Sequence, residues 1–387
     1  MALQIPTGKQ SDFVLNSNYR INACHGAVRS GKSVGANIRW LQYLLTRPPG
    51  NLLMVGKTIS SLERNVLTDL QSWVGPDNFK LRKINKEVEI YGRKIWIEGA
   101  VDDSSFQKIQ GETLAGVLGD EVTTWPESFF SMLMSRLSEK DAKSFFTMNP
   151  ASPNHWFKKR YLDRESDLNM RSWHFLLEDN PHLDPQYVLD LQNEYTGLWY
   201  QRYILGAWVL ADGSVYSGFD PELHCINKIP SGKWRSLYVG CDYGQTHPTA
   251  FLKIIQIGDI YYVIDEYKES DKLNSVLSTD LKGFIDGKYP RNILVDPSAK
   301  SFKNQLIADG FKRVRNADNS VTDGLAKVAN AFATGKLVIV ENRCPQLIEE
   351  IGGYRWDPKA SERGEDKVIK EADDLLDCLR YIGNSIF

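Results

Sequence analysis

Short apolar runs separated by helical spacing fill the first half of the chain. Ile21–Cys24 reads as a strand feeding a glycine-rich turn, and Val34–Leu45 as the helix behind that turn. Asn51–Gly56 is the next apolar run, followed by helical spacing over Ser60–Trp73. The stretch Val88–Ile97, with Tyr91-Gly92-Arg93 in its middle, predicts an antiparallel hairpin. Leu114–Gly119 reads as a buried strand, and Ser144–Met148 as another. Strand-helix alternation of this kind predicts a mostly parallel sheet covered on both faces.

The second half has a different rhythm. Aromatic and leucine spacing predicts helix over Pro185–Leu205, with Asp184-Pro185 as its start signal. Gly206–Pro230, rich in Gly, Ser, Asp and Pro, reads as a linker with some short strand. Leu237–Asp242, Ala250–Ile257 and Ile260–Asp265 then predict three consecutive strands, with turns at Gly244-Gln245 and Gly258-Asp259. Ile293–Val295 and Leu337–Val340 continue the series, and a last helix runs from about Glu371 to Gly383. The expectation is an α/β chain of two domains, residues 1–205 and 233–387, joined by 206–232. At 387 residues each half can bury its own core.

Composition narrows this little. With 42% hydrophobic and 25% charged residues the chain is ordinary globular protein. A net charge of -2 gives no global basic signal for nucleic acid, although a local basic stripe would suffice. The five cysteines form no C-x-x-C pair or zinc spacing, which suits a reducing compartment. Met1–Pro6 lacks the charged-then-apolar pattern of a secretory leader, and no apolar stretch approaches bilayer length. The expectation is an intracellular enzyme with no membrane partner.

The chemistry begins at Gly26-Ala27-Val28-Arg29-Ser30-Gly31-Lys32-Ser33, a complete G-x-x-x-x-G-K-[ST] phosphate loop between a predicted strand and a predicted helix. Such a loop turns backbone N–H groups inward around phosphates at the positive end of a helix. Lys32 would reach the β/γ-phosphates of ATP, and the Ser33 hydroxyl would ligate Mg²⁺. Asp120-Glu121, after the buried run Leu114–Gly119, supplies a metal-side carboxylate (Asp120) and a general base (Glu121). Arg29 could stabilise charge on the γ-phosphate, or could simply salt-bridge a neighbouring carboxylate. Thr147 and Asn149, after the next strand, suit γ-phosphate sensing, and a plain strand-ending turn is the alternative.

A second constellation is acidic. Asp242 and Asp296 each end a predicted strand, and Asp373, Asp374 and Asp377 stand at the start of the last helix. Each alone is an ordinary cap or turn residue. Their order, strand-Asp, hairpin, strand-Asp, late helical Asp, is that of a ribonuclease H-like nuclease. Such a nuclease converges carboxylates on two Mg²⁺ or Mn²⁺ ions. Asp265-Glu266 is a further acidic pair, read as a solvated strand end.

Together these segments resemble the large terminase subunit of tailed bacteriophages and prophages, over nearly the whole length. The likeness rests on the phosphate loop, Leu118–Glu121, Thr147–Pro150, Asp179–Pro185, Arg202–Trp208, Gly240–Gly244, Val295–Ser298 and Asp373–Tyr381. It implies an N-terminal ATPase of the additional-strand type and a C-terminal ribonuclease H-like nuclease. By resemblance Gln10 falls where a glutamine reads adenine, though it could equally be a surface residue. Thr147 and Asn149 fall on a segment that couples hydrolysis to movement, and Asp242, Asp296 and the helical acids on the nuclease metal site. The implied partners are double-stranded DNA, a small terminase subunit and the portal protein of a procapsid. A homo-oligomeric ring on the portal, in the cytoplasm of an infected bacterial host, is also implied.

One departure is Asp374, which stands where many relatives carry histidine, so Asp373, Asp374 and Asp377 all remain candidate metal ligands. Lys108 and Arg136 are candidates for a basic residue offered to a neighbouring subunit. Lys158-Lys159-Arg160 and Lys312-Arg313-Val314-Arg315 are candidate DNA contacts or plain solvated faces. A helicase fused to a nuclease would need further motifs for which the chain has no room. A nonenzymatic scaffold would not be expected to keep Lys32, Glu121, Asp242 and Asp296 intact.

Overall fold

The computed structural model describes residues 6–46, 48–244 and 247–387; Gln245, expected in a turn, lies outside them. The chain forms two compact units. The first comprises residues 1–189, 200–210 and 362–365, the second 190–199, 211–361 and 366–387. The stretch expected as a linker is therefore shared, 206–210 belonging to the first unit and 211–232 to the second.

The first unit is built on an eight-stranded sheet. Its strands are β1 (Ile21–Gly26), β2 (Asn51–Gly56), β3 (Phe79–Arg82), β4 (Glu87–Ile90), β5 (Arg93–Gly99), β6 (Leu114–Gly119), β7 (Lys143–Met148) and β8 (Met170–Phe175). They lie in the order β3-β4-β5-β2-β6-β7-β1-β8. From β5 to β8 every pairing is parallel, and the β3-β4-β5 meander is antiparallel. β7 is inserted between the loop-bearing β1 and the acid-bearing β6, which is the additional-strand arrangement. All six residues of β6 are buried, as expected of a central strand covered on both faces. One core, with Trp40, Leu44 and Phe145, packs under the phosphate-loop helix (Lys32–Leu45), and a second, with Phe129, Phe130 and Phe146, packs on the other face.

The helical stretch after β2 holds a π-helical turn at Glu63–Leu67. The helix expected over Pro185–Leu205 stops at Glu194, and Gly197 with φ +53 opens a short helical turn, Gly197–Trp199, followed by a π turn at Tyr200–Ile204.

The second unit carries a seven-stranded mixed sheet. Its strands are β9 (Cys225–Ile226), β10 (Ser236–Asp242), β11 (Thr249–Ile257), β12 (Ile260–Glu269), β13 (Asn292–Val295), β14 (Val314–Asn316) and β15 (Leu337–Val340). The order is β14-β13-β10-β11-β12-β15-β9, with β11 antiparallel to both neighbours. The last helix, Asp374–Ile386, presses on β10 so closely that a Cβ on Gly240 would meet the Cys378 carbonyl oxygen at 2.6 Å. β12 extends through Asp265 and Glu266, which are not a solvated strand end. Glu266 instead accepts hydrogen bonds from the backbone of Gln346 and Leu347, both at 2.8 Å, capping the helix Pro345–Gly353.

Candidate functional sites

Lys32 and Gly31 close the phosphate loop at the mouth of the helix that follows. Gly31 has φ +87, and an added Cβ would stand 1.9 Å from Gln10 Nε2, so only glycine fits. Gln10 is accordingly buried against the loop, and the surface reading of this residue fails. Its neighbour Lys9 is tied to Asp179 at 2.7 Å, fixing the first helix (Gly8–Asn16) beside the loop. Arg29 has φ +56, its carbonyl accepts from Asn180 Nδ2 at 2.7 Å, and its exposed guanidinium forms no ion pair among the described residues. Val28 N donates to the Tyr203 carbonyl at 2.8 Å, so the π turn rests directly on the loop. Ser33 stands half-buried at the start of the helix, and the Ser30 hydroxyl donates to the Ala27 carbonyl at 2.7 Å.

Lys32 is buried and turned back into the loop. Its ammonium donates to the carbonyls of Ala27 and Gly26 (3.1 Å for the latter), to Ser30 Oγ and to Asn149 Oδ1 at 3.1 Å. Burial pushes its pKa down to about 8, against the pull of Cys24, Asp120 and Glu121. Asp120 follows β6 and is 7% exposed. Its carboxylate accepts from Thr147 Oγ1 at 2.6 Å and from Asn65 Nδ2 at 3.3 Å. Burial still raises its pKa, the hydrogen bonds and Lys32 opposing. Glu121 adopts φ +56, a left-handed conformation that costs a non-glycine residue energy and recurs at active sites. Thr123 Oγ1 donates to the Asn149 carbonyl at 3.0 Å, linking the acidic turn to the end of β7. These contacts make two pairs, Lys32 with Asn149 and Asp120 with Thr147, with Glu121 beside Asp120 in the chain. Asn65 had no sequence signal, because it reaches Asp120 only through the π turn.

The acidic constellation separates into two groups. Asp242 and Asp296 share the Tyr381 hydroxyl, at 2.9 and 2.7 Å. Burial raises Asp242 to about 7, Asp377, Asp374 and Asp296 adding to the effect and Tyr381 opposing it. Burial also disfavours ionised Asp296, but hydrogen bonds from Ser298 and Tyr381 prevail and lower its pKa. Cys378 Sγ accepts from Asp242 N and donates to the Ala250 carbonyl, both at 3.2 Å, holding the end of β10 against the last helix.

The helical acids are already compensated. Asp377 pairs with Arg380 and Lys370, each at 2.9 Å. Asp373, the N-cap residue ahead of the helix, shares Lys370 at 2.7 Å. Asp374 pairs with Lys268 at 2.7 Å, which also holds Glu350, so Asp374 stays out of the pair joined by Tyr381. Among the described residues no three acidic, histidine or cysteine side chains stand close enough to enclose a metal ion. Asp242 and Asp296 nevertheless suit one: hard oxygens without a cation partner, in a field of further carboxylates that a divalent ion would relieve. Tyr381 was missed as a site residue, although it lies one helical turn beyond Asp377 on the same face.

Of the basic candidates, Lys108 Nζ is bonded to the Gly99 carbonyl and Ser105 Oγ, and Arg136 Nε to Ser135 Oγ. Lys158 and Lys159 pair with Asp163, and Arg160 with Glu127. Lys312, Arg313 and Arg315 are exposed and form no ion pair among the described residues. No helix among the described residues is long and apolar enough to cross a membrane.

Comparison with known proteins agrees with this geometry. The family profile "Terminase large subunit, T4likevirus-type, N-terminal" matches residues 23–222, and "Terminase RNaseH-like domain" matches 239–385. The large terminase subunit of Escherichia phage T5 is 27% identical over 271 residues, covering 66% of this chain and 61% of that protein. The large terminase of a thermophilic bacteriophage, solved with ADP, superposes with a TM-score of 0.91 at 35% identity, over 98% of this chain and 99% of that one. The same thermophilic-phage protein with ATP-γ-S gives 0.90 at 34% identity, covering 99% of each chain. With an additional-strand phosphate-loop unit, a ribonuclease H-like unit and these matches across both, the chain belongs to the terminase large-subunit family.

Proposed function

We propose that this chain is the motor and cutter of viral genome packaging. ATP hydrolysis in the first unit drives double-stranded DNA into a procapsid, and an endonuclease in the second cuts concatemeric DNA at initiation and termination. The observation that carries this reading is the pair of contacts Lys32–Asn149 and Thr147–Asp120 at the phosphate loop, on a chain that also holds the Asp242–Tyr381–Asp296 bridge. The large terminase of the thermophilic bacteriophage, at 35% identity, is solved with ADP, which supports the nucleotide.

In the motor site Lys32 exchanges the loop carbonyls and Asn149 for the β/γ-phosphates, and Gln10 reads the adenine. Glu121 orients the attacking water and takes its proton. Thr147 and Asn149 sense the state of the terminal phosphate through Asp120 and Lys32, and Arg29 reaches toward developing charge from the rim. Ser33 and Asp120 would hold Mg²⁺ with the nucleotide, and Asp242 and Asp296, with Asp377 as the third acid and Asp373 and Asp374 beside it, would hold Mg²⁺ or Mn²⁺ for cutting. Bound there, divalent cations supply a nucleophilic water and neutralise charge on the leaving oxygen. The assembly is a ring of copies on the portal protein, loaded by a small terminase subunit, in the cytoplasm of the infected bacterium.

Two variants test both halves. Glu121→Gln should bind ATP as the parent does while turnover falls a hundredfold or more, on the order of 3 kcal/mol of barrier; retained turnover would remove Glu121 as the base. Asp242→Ala should abolish metal-dependent plasmid cleavage with ATPase intact, and loss of both activities together would point to misfolding.

A further inference from the structure

The second unit carries a row of arginines at the end of its sheet opposite the acids. Arg235, Arg291 and Arg313 are each the residue immediately before a strand: β10, β13 and β14. These three strands are parallel neighbours. The backbone fixes a stagger: Arg291 N donates to the Leu237 carbonyl at 2.7 Å and Ile293 N to that of Arg313 at 3.1 Å, so Arg291 lies level with Leu237 and Lys312, Arg235 two residues to one side of it and Arg313 one residue to the other. At about 4.8 Å per strand and about 3.3 Å per residue along it, the staggered three span about 14 Å. Lys233, Lys288 and Lys312 flank the arginines, and all six cations are exposed.

The acids nearby do not cancel this charge. Asp259 is 3.2 Å from Arg235, but both side chains are largely solvated, 95% and 63% exposed, so the pair is weak. Asp309 is engaged by Ser278 and Gln305, and Asp286 is an exposed helix end. Arg291, Arg313, Lys312, Lys288 and Lys233 form no ion pair among the described residues. In a chain of net charge -2 this is a local concentration of positive charge. Asp242 closes the seven-residue β10, so the acids lie about 20 Å away along the strands.

We propose that this row is a second DNA-contacting surface, gripping the phosphate backbone of duplex away from the cutting site. It rests on the reading that the chain handles double-stranded DNA. Each strand of a duplex presents one charge per about 3.4 Å of axis, so a patch of about 14 Å faces about four phosphates of one strand. Guanidinium groups suit phosphate oxygens, and contacts of this kind carry no sequence information, as a translocating machine requires. A specific protein partner would want an apolar centre depleted of charge, whereas here the exposed rings of Trp234 and Tyr289 each adjoin a cation in the chain, Lys233 and Arg235 for the first and Lys288 for the second. Lys288 Nζ lies 5.9 Å from the Trp234 ring.

The test is duplex binding by the full chain in EDTA, so that nothing is cut, followed by fluorescence anisotropy across a salt series. Against the parent, Arg291→Ala/Lys312→Ala/Arg313→Ala should bind random duplex at least tenfold more weakly at fixed salt. Its slope of log affinity against log salt should be shallower by about 2 to 3, equally for unrelated sequences, with unchanged melting temperature and basal ATPase. Should the triple variant fold poorly, Arg313→Ala alone should reduce the slope by about 1. A parent that binds steeply with salt and a variant that matches it would overturn the row and leave the DNA reading standing. A parent that does not bind duplex would overturn both. Loss of binding to poly-glutamate with duplex binding untouched would also overturn the proposal, assigning the row to an acidic protein.

Discussion

Asn149 Oδ1 accepts a hydrogen bond from Lys32 Nζ at 3.1 Å, so the residue ending the strand beside the phosphate loop holds the ammonium that would meet the nucleotide. Lys32 cannot both stay there and reach a terminal phosphate. On the proposed function, Asn149 would be released when triphosphate binds and re-engaged when the phosphate leaves.

Asn149→Ala should on this basis separate binding from turnover. The ammonium keeps its carbonyl partners, so ATP affinity should change less than threefold. Turnover should fall about ten- to a hundredfold, a loss of about 1.4 to 2.7 kcal/mol of transition-state stabilisation. Filter binding beside a phosphate-release assay reads both quantities, and equal losses in the two would make Asn149 a plain binding residue.

Burial of Lys32 predicts a proton signature. Its pKa is down at about 8 from an ordinary 10.5. Between those values the folded protein binds fewer protons than the unfolded chain, so this group's contribution to stability rises with pH across the window. Below pH 8 the full cost of the buried ammonium is carried. Phosphate oxygens favour the charged form, so nucleotide binding above pH 8 should take up a fraction of a proton and weaken as pH rises. Calorimetry at pH 8.5 in two buffers of different ionisation heat measures the uptake, and Lys32→Met should erase it. Identical heats in both buffers for the parent would contradict the assignment.

The Tyr381 hydroxyl lies between two carboxylates that otherwise repel. Tyr381→Phe removes hydrogen bonds to Asp242 and Asp296 but keeps the ring. Bonds to charged groups are worth about 1.5 to 3 kcal/mol, so the metal-free protein should melt several degrees lower. Half-saturating Mn²⁺ for cleavage should rise several-fold, because the two acids are no longer pre-set. Thermal melting and a metal titration check this, and a variant matching the parent in both would make the bridge incidental.

How much of this was legible in the chain follows burial. The strands that carry site residues were legible: β1, β6, β10 and β13 are apolar runs inside their sheets, ending in the phosphate loop, Asp120, Asp242 and Asp296. β3, β8 and β14 gave no usable signal, and all three are sheet edges, where one side lacks a partner and Lys, Arg and His intrude. The side-chain bonds were less legible than the motifs. Asn65 and Tyr381 touch the acids through a π turn and a helix face, and no spacing rule places them against strands far away in sequence. Asp374 shows a contact of the same kind: its position in a run of acids marks it as a candidate ligand, and only the fold brings Lys268, from β12, against its carboxylate.

Lys370 offers the sharpest test of the acidic end. Its ammonium lies 2.7 Å from Asp373 and 2.9 Å from Asp377, supplying a positive charge to two acids that a metal would also attract. Asp377 is also the charge that most raises Asp242, so freeing it strengthens the pull on a cation by the whole group. Because the Lys370 side chain is 53% exposed, its pairing is worth only about 0.5 to 1 kcal/mol, and its removal should be modest in effect. Lys370→Ala should then lower half-saturating Mn²⁺ for cleavage about two- to fivefold. The rate at saturating metal should be unchanged, because Arg380 still holds Asp377 in place. The decisive readout is the split between those two numbers. A lower rate at saturating metal, with the half-saturation point unmoved, would instead make Lys370 a contact for the phosphate being cut.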